Sequence, residues 1–242
     1  MRPFIMKSPA QFLPDGPTAL TSEEWVAELN ATRLFGDVNS TIRTPAQSEN
    51  RPILGGAYRA AVQSRLRLPC CKLPVGRHEF GGLLAMLWTG YADAGIACWN
   101  AKYTYSFWRP VTAIRAGDCN SELNADTNWT SLGTTPNHPE YPAAHGCATG
   151  VTSSLVENFF GTRRVRVVVD STAFSDGVHT HTFFSTADWY HEVYWARIFA
   201  GFHFDHSLVD GGAIGRQVAA QLASKHFRRR QRQGENENHD RK

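Results

Sequence analysis

From Phe80 to Trp99 the chain reads FGGLLAMLWTGYADAGIACW, a tract in which Asp93 is the one formal charge. Strands in globular proteins rarely exceed about 10 residues, so an apolar run of this length folds as a helix. Its length would also suit a bilayer, but Asp93 and the four glycines favour a helix inside a protein core. A helix that is apolar on nearly every face has to be covered by other helices. The expected fold class is therefore mainly α, a helical bundle with long loops.

Other tracts agree with this. Thr21-Ser-Glu-Glu24 reads as a capping box with Thr21 as N-cap, opening a helix to about Phe35 with Trp25, Leu29 and Leu34 on one face. Further helices are expected over Gly56–Leu66, from Ala143–His145 to Phe160, from Ala187 to about Phe202, and from a cap at Asp210 to His226. The pattern of the apolar tract continues through Lys102 to Trp108, where Pro110 breaks it. Arg164–Asp170 alternates polar and β-branched residues as a short strand does, and residues 171–186 read as turns.

The 242 residues are 42% hydrophobic and 19% charged, which suits one domain with a buried core. Residues 1–224 are read as a single helical domain and 225–242 as a polar tail. The tail carries +4, so the formal net charge of +3 leaves −1 on the rest. A nearly neutral body argues against nucleic acid as a partner. Five cysteines without a CxxC pair, two of them adjacent (Cys70 and Cys71), form neither a zinc ribbon nor a disulfide framework. The N-terminus lacks the apolar core of a signal peptide, so a soluble chain, cytoplasmic by default and with no membrane span, is expected.

Three segments carry chemistry. Seven residues separate Lys102 from Arg109, about two helical turns, which would set both cations on one face of an aromatic-rich tract. Cations in such a setting need an anion or a long reach to solvent. In His138-Pro-Glu-Tyr-Pro142-Ala-Ala-His145-Gly146, a helix starting here would turn its N-terminal amides toward an anion beside His145. In Arg197-IFAGF-His203, the two side chains reach a shared ligand if the helix relaxes at Gly201. Arginine grips an oxyanion with two parallel donors, and lysine acts as a point charge.

KxxxxxxRP, PxxHG and RxxxxxH, in this order, resemble the tripartite signature of the vanadium-dependent haloperoxidase and type 2 phosphatidic acid phosphatase superfamily. ACWNAKYTYSFWRPVTAIR and TPNHPEYPAAHG resemble its soluble haloperoxidase-like branch. The resemblance implies a helical bundle of the haloperoxidase/acid phosphatase type and vanadate as cofactor. It implies that Lys102, Arg109 and Arg197 hold vanadate or phosphate oxygens. It further implies that His203 binds the vanadium or attacks phosphorus, that His145 is the acid–base group, and that Gly146 lies beneath it at the start of the helix. The usual serine of the second motif is Ala143, the glycine before its histidine is Ala144, and the serine before the third motif's arginine is Ala196. Loss of the serine donor at position 143 should weaken oxyanion binding by about 1–3 kcal/mol if no other group replaces it.

The activity implied is halide oxidation by hydrogen peroxide. The alternatives are an acid phosphatase acting through a phosphohistidine and a non-catalytic oxyanion-binding protein. The partners are small molecules (hydrogen peroxide, halide, and an organic acceptor or a phosphoester), and a homodimer is left open. Tyr103, Tyr105, Phe107 and Trp108 offer a dry site for halide. A rival set, His179, His181, Asp188, His191, His203, Asp205 and His206, contains metal-ligating residue types at no familiar spacing. Asp205 and His206 could instead orient His203. Glu140 and Asp176 receive no assignment.

Overall fold

Asp93 is fully buried, and its carboxylate accepts the backbone amides of Phe4 (2.7 Å), Ile5 (2.8 Å) and Met6 (3.1 Å). The single charge of the apolar tract thus ties the N-terminal segment to the bundle. The computed structural model describes residues 1–48, 77–117, 120–174 and 177–225. Within them lie α1 (Glu23–Gly36), α2 (Arg77–Tyr105), α3 (Pro110–Ala116), α4 (Ala144–Phe160), β1 (Val167–Phe174), β2 (Gly177–Phe183), α5 (Thr186–Phe199) and α6 (Asp205–Lys225). No helix among the described residues is long and apolar enough to cross a membrane.

The main core joins α2, α4 and α6. Leu83, Leu87, Ala94 and Cys98 meet Cys147, Val151 and Leu155 and also Ile214, Val218 and Leu222, all buried. Each set recurs at four- or seven-residue spacing, so one stripe of each helix faces the others. Burying each leucine or isoleucine contributes about 1.5–3 kcal/mol. Helices α4 and α6 approach closely at glycines: a β-carbon on Gly215 would lie 2.3 Å from the Cys147 carbonyl oxygen. A second cluster sets Trp25 of α1 against Phe107, Trp108 and Phe204.

Several expectations are corrected. The N-cap of α1 is Ser22, whose hydroxyl accepts the Trp25 amide at 3.2 Å, rather than Thr21. Leu34 is 56% exposed, because the buried stripe runs through Trp25, Leu29 and Thr32 instead. Helix α6 begins at Asp205, five residues before the expected cap, and Glu28 of α1 accepts the His206 amide there at 2.9 Å. Most of the expected turn tract belongs to a β-hairpin, with Val167 paired to Phe183 and Val169 to His181. Val167, Val169 and Phe183 bury one face of that hairpin against the main core. The expected helix over Gly56–Leu66, the Cys70–Cys71 pair and residues 226–242 lie outside the described residues.

Candidate oxyanion site

Lys102 and Arg109 do not share one helix face. Helix α2 stops at Tyr105, Ser106 takes a left-handed φ of 46°, and Arg109 is the extended N-cap of α3. Pro110 imposes that extension, since the residue before a proline is driven out of the helical region. The two cations converge instead on the segment 138–140. The Lys102 ammonium donates to the carbonyls of Pro139 (2.7 Å) and Glu140 (2.9 Å). The Arg109 guanidinium donates to His138 O (3.0 Å) and Phe202 O (2.8 Å), so it joins that segment to the loop that carries His203.

Helix α5 ends at Phe199, and Gly201 turns the chain with φ +72°. This left-handed turn, which favours glycine, brings His203 back beside Arg197. Arg197 is buried and lies over the Phe202 ring, 4.8 Å from its centroid. Thr32 and Trp25 brace the loop from α1: the Thr32 hydroxyl donates to the His203 carbonyl at 3.4 Å, and the Trp25 and Phe204 rings are 4.8 Å apart.

The hydrogen bonds fix the state of His203. Arg109 Nη1 lies 3.2 Å from His203 Nε2, and Glu140 Oε1 lies 2.7 Å from His203 Nδ1. A guanidinium only donates, so Nε2 presents a lone pair and Nδ1 carries the hydrogen, which it donates to Glu140. Glu140 also accepts the Phe204 amide at 3.1 Å.

Burial dominates the electrostatics. It lowers His203 well below its ordinary value, helped by the positive charges of Arg109, Lys102, Arg197 and His145. It lowers Lys102 to about 8 and Arg109 to about 10. It raises Glu140 to about 7 against the pull of Lys102 and Arg109. Lys102, Arg109 and Arg197 are thus buried around His203, and burial drives the Glu140 carboxylate that holds its ring toward neutrality. Such an excess of buried positive charge calls for an anion.

A cavity of about 350 Å³ opens beside the cluster, lined among others by His145, Arg197, His203, His138, Tyr91 and Trp99. His145 stands in the first turn of α4, whose N-cap is Ala143. With the amides of that turn it forms one wall. A β-carbon on Gly146 would lie 2.9 Å from Leu208 O, so this residue faces α6 and offers a ligand only its backbone.

Residues 82–232 match the VCPO second helical-bundle domain. The chain belongs to that family. It is 26% identical over 137 residues to vanadium chloroperoxidase of Curvularia inaequalis, which covers 52% of this chain and 22% of that protein. Its fold is similar to that of the first bacterial vanadium-dependent iodoperoxidase, with a TM-score of 0.70 at 23% identity, covering 93% of this chain and 55% of that one. It is equally similar to an apo-type bacterial vanadium-dependent chloroperoxidase, with a TM-score of 0.70 at 16% identity, covering 90% and 52%. The chain spans about half the length of these solved relatives.

Within this VCPO-family bundle, two functional-site neighbours escaped the sequence reading. Glu140 is the residue that holds His203. His138 accepts from Arg109 Nη2 at 3.1 Å and packs on Trp99 at 5.5 Å. Both lie in the flank of the second motif, HPEYP, and that flank was the available signal.

The residues expected to orient His203 are engaged elsewhere. Asp205 accepts from the Tyr194 hydroxyl, and His206 pairs with Asp210 at 3.1 Å. The rival metal set is likewise dispersed, with His181 on Glu192 (3.2 Å) and His191 accepting from the Trp195 indole (3.0 Å). No group of three or more metal-ligating side chains forms among the described residues. Asp176 and the side chain of His179 lie outside the description.

The aromatic residues expected to shelter halide face away from the cavity. Tyr103 is 62% exposed, Phe107 and Trp108 pack on Trp25, and Tyr105 packs on Tyr141. Tyr91 and Trp99 line the cavity in their place.

Proposed function

We propose that this chain is a vanadium-dependent haloperoxidase-type enzyme that oxidises halide with hydrogen peroxide. The observation that carries the reading is the buried surplus of cations around His203 Nε2, in a member of the VCPO family. The residues suit vanadate: three cationic side chains can hold its oxygens, and the lone pair at Nε2 can meet its metal. Lys102, Arg109 and Arg197 are the oxygen-binding residues, His203 is the metal ligand, and the backbone at Gly146 closes the site from α4. When bound, vanadate supplies a Lewis acid that activates peroxide toward halide.

This chain's own groups do the rest. Glu140 holds the Nδ1 hydrogen and keeps Nε2 aimed at the ligand. Arg109 exchanges its bond to Nε2 for one to an oxyanion, since the same lone pair serves the incoming electrophile. His145, half-buried on the cavity wall, gives and takes the proton on the oxygen that faces it. Tyr91 and Trp99 exclude water from the space a halide enters.

Purified protein with orthovanadate, peroxide and bromide should brominate a phenol dye, and His203→Ala should abolish this. No bromination under these conditions would refute the reading. The Glu140–His203 pair equally suits a nucleophile toward phosphorus, which gives the phosphatase alternative its footing. Hydrolysis of p-nitrophenyl phosphate, inhibited by vanadate and without bromination, would establish that alternative.

A further inference from the structure

Cys98 of α2 and Cys147 of α4 are 0% and 1% exposed, yet both line the cavity that holds His145, Arg197 and His203. The two side chains belong to one packed cluster at the helix–helix contact, near enough that each thiol shifts the other's protonation. Cys98 also reaches the Pro142 carbonyl at 3.8 Å. Lys102 follows Cys98 by one helical turn and sets a positive charge beside its sulfur. Thiols buried this deeply on the wall of a cavity are shielded from bulky reagents and open to small ones.

We propose that Cys98 and Cys147 are a redox-modification site, oxidised by hydrogen peroxide entering the cavity to a disulfide that staples α2 to α4. The assignment rests on the two thiols and the cavity. It does not depend on vanadate, halide or the reading of His203.

The two sulfurs divide the work. Burial pushes the Cys98 thiol up, but the neighbouring Cys147 thiol and the charge of Lys102 outweigh it and leave Cys98 below the ordinary value. Burial and the neighbouring Cys98 hold Cys147 well above it. Cys98 is therefore the attacking thiolate and Cys147 the resolving thiol.

The Cys98 sulfur attacks one peroxide oxygen. The O–O bond breaks, a sulfenic acid forms, and the departing hydroxide takes the proton that Cys98 released, giving water. The Cys147 sulfur then attacks the sulfenic sulfur as its own proton passes to the leaving oxygen. The S–S bond forms, the S–O bond breaks, and a second water departs. Two thiols lose two electrons and one peroxide gains them.

The test uses the full-length wild-type protein without vanadate or halide. It is treated with peroxide, blocked with maleimide under denaturing conditions, digested and mapped by mass. The expected result is a peptide pair joined through Cys98 and Cys147, lighter by two hydrogens and released by dithiothreitol. In Cys147→Ser, with folding confirmed by circular dichroism, Cys98 should stop at the sulfenic acid and be trapped by dimedone. Both residues recovered as maleimide adducts after peroxide has fully oxidised a glutathione control would overturn the proposal. So would a disulfide that joins either of them only to Cys70, Cys71 or Cys119. Because bromination plays no part, this outcome stands apart from success or failure of the haloperoxidase assay.

Discussion

Glu140 Oε1 lies 2.7 Å from His203 Nδ1, and neither residue is more than 1% exposed. The pair holds one hydrogen between a carboxylate and an imidazole whose other nitrogen faces Arg109. Truncation in Glu140→Ala leaves Nδ1 without an acceptor and frees the ring to change tautomer. Vanadate affinity, read by equilibrium titration, should fall about 10–100-fold, as for other groups that orient a metal-binding histidine. Glu140→Gln keeps an acceptor oxygen and should lose less. Equal affinity in wild type and Glu140→Ala would show that the contact does not position His203.

Much of the bundle is legible in the sequence because long apolar tracts at helical spacing leave few alternatives. The 80–99 tract, the start of α4 at Ala144 and the break near Gly201 can all be read directly. Glu140 cannot, because its partner His203 is 63 residues away and no local pattern links a carboxylate to a distant ring. Helical spacing also misplaced Lys102 and Arg109. They converge through carbonyls of the 138–140 segment, a tertiary relationship, whereas the sequence pattern offered only a continuous helix. The second strand of the hairpin is not legible, because Gly177–Phe183 is built largely of threonines and histidines that also populate turns.

His138 carries the clearest pH signature. Burial, with the charges of Lys102 and Arg109 nearby, lowers it from 6.5 to about 4. Between those values the unfolded chain binds a proton that the folded protein refuses, so stability is lost as pH falls through this window. Urea midpoints measured from pH about 7 down to about 5 should drop in wild type, and by less in His138→Gln, which cannot take up that proton. The same pH dependence in both proteins would assign the acid sensitivity to other groups.

The α4–α6 contact sets a limit on size. A β-carbon at Gly215 would lie 2.3 Å from Cys147 O and 2.5 Å from the Val151 amide nitrogen, both backbone atoms that cannot swing aside. Gly215→Ala should therefore destabilise by about 1–3 kcal/mol, read as a lower urea midpoint at unchanged slope. At Gly81, exposed in α2, a β-carbon meets nothing within 4 Å. Gly81→Ala should instead stabilise by about 0.5–1 kcal/mol, through reduced backbone freedom in the unfolded chain. Matching effects at the two sites would disprove the steric account.

Ala143 occupies the N-cap of α4 with no side-chain hydrogen bond, its own amide directed to Ser207 O at 2.9 Å. The family-like signature carries a serine at this position. Ala143→Ser restores a hydroxyl at the end of the helix whose first turn borders the cavity, where it can cap a free amide or donate to a bound oxyanion. The two roles separate by measurement. Capping alone raises stability by about 1 kcal/mol and leaves vanadate affinity unchanged. Donation tightens vanadate about 3–10-fold, the equivalent of one hydrogen bond, and the larger share of any gain should appear there. Ala143 is fully buried, so the added oxygen must find a partner. Vanadate affinity that falls in the variant would mean that the wall of the cavity at α4 has been built around the smaller residue.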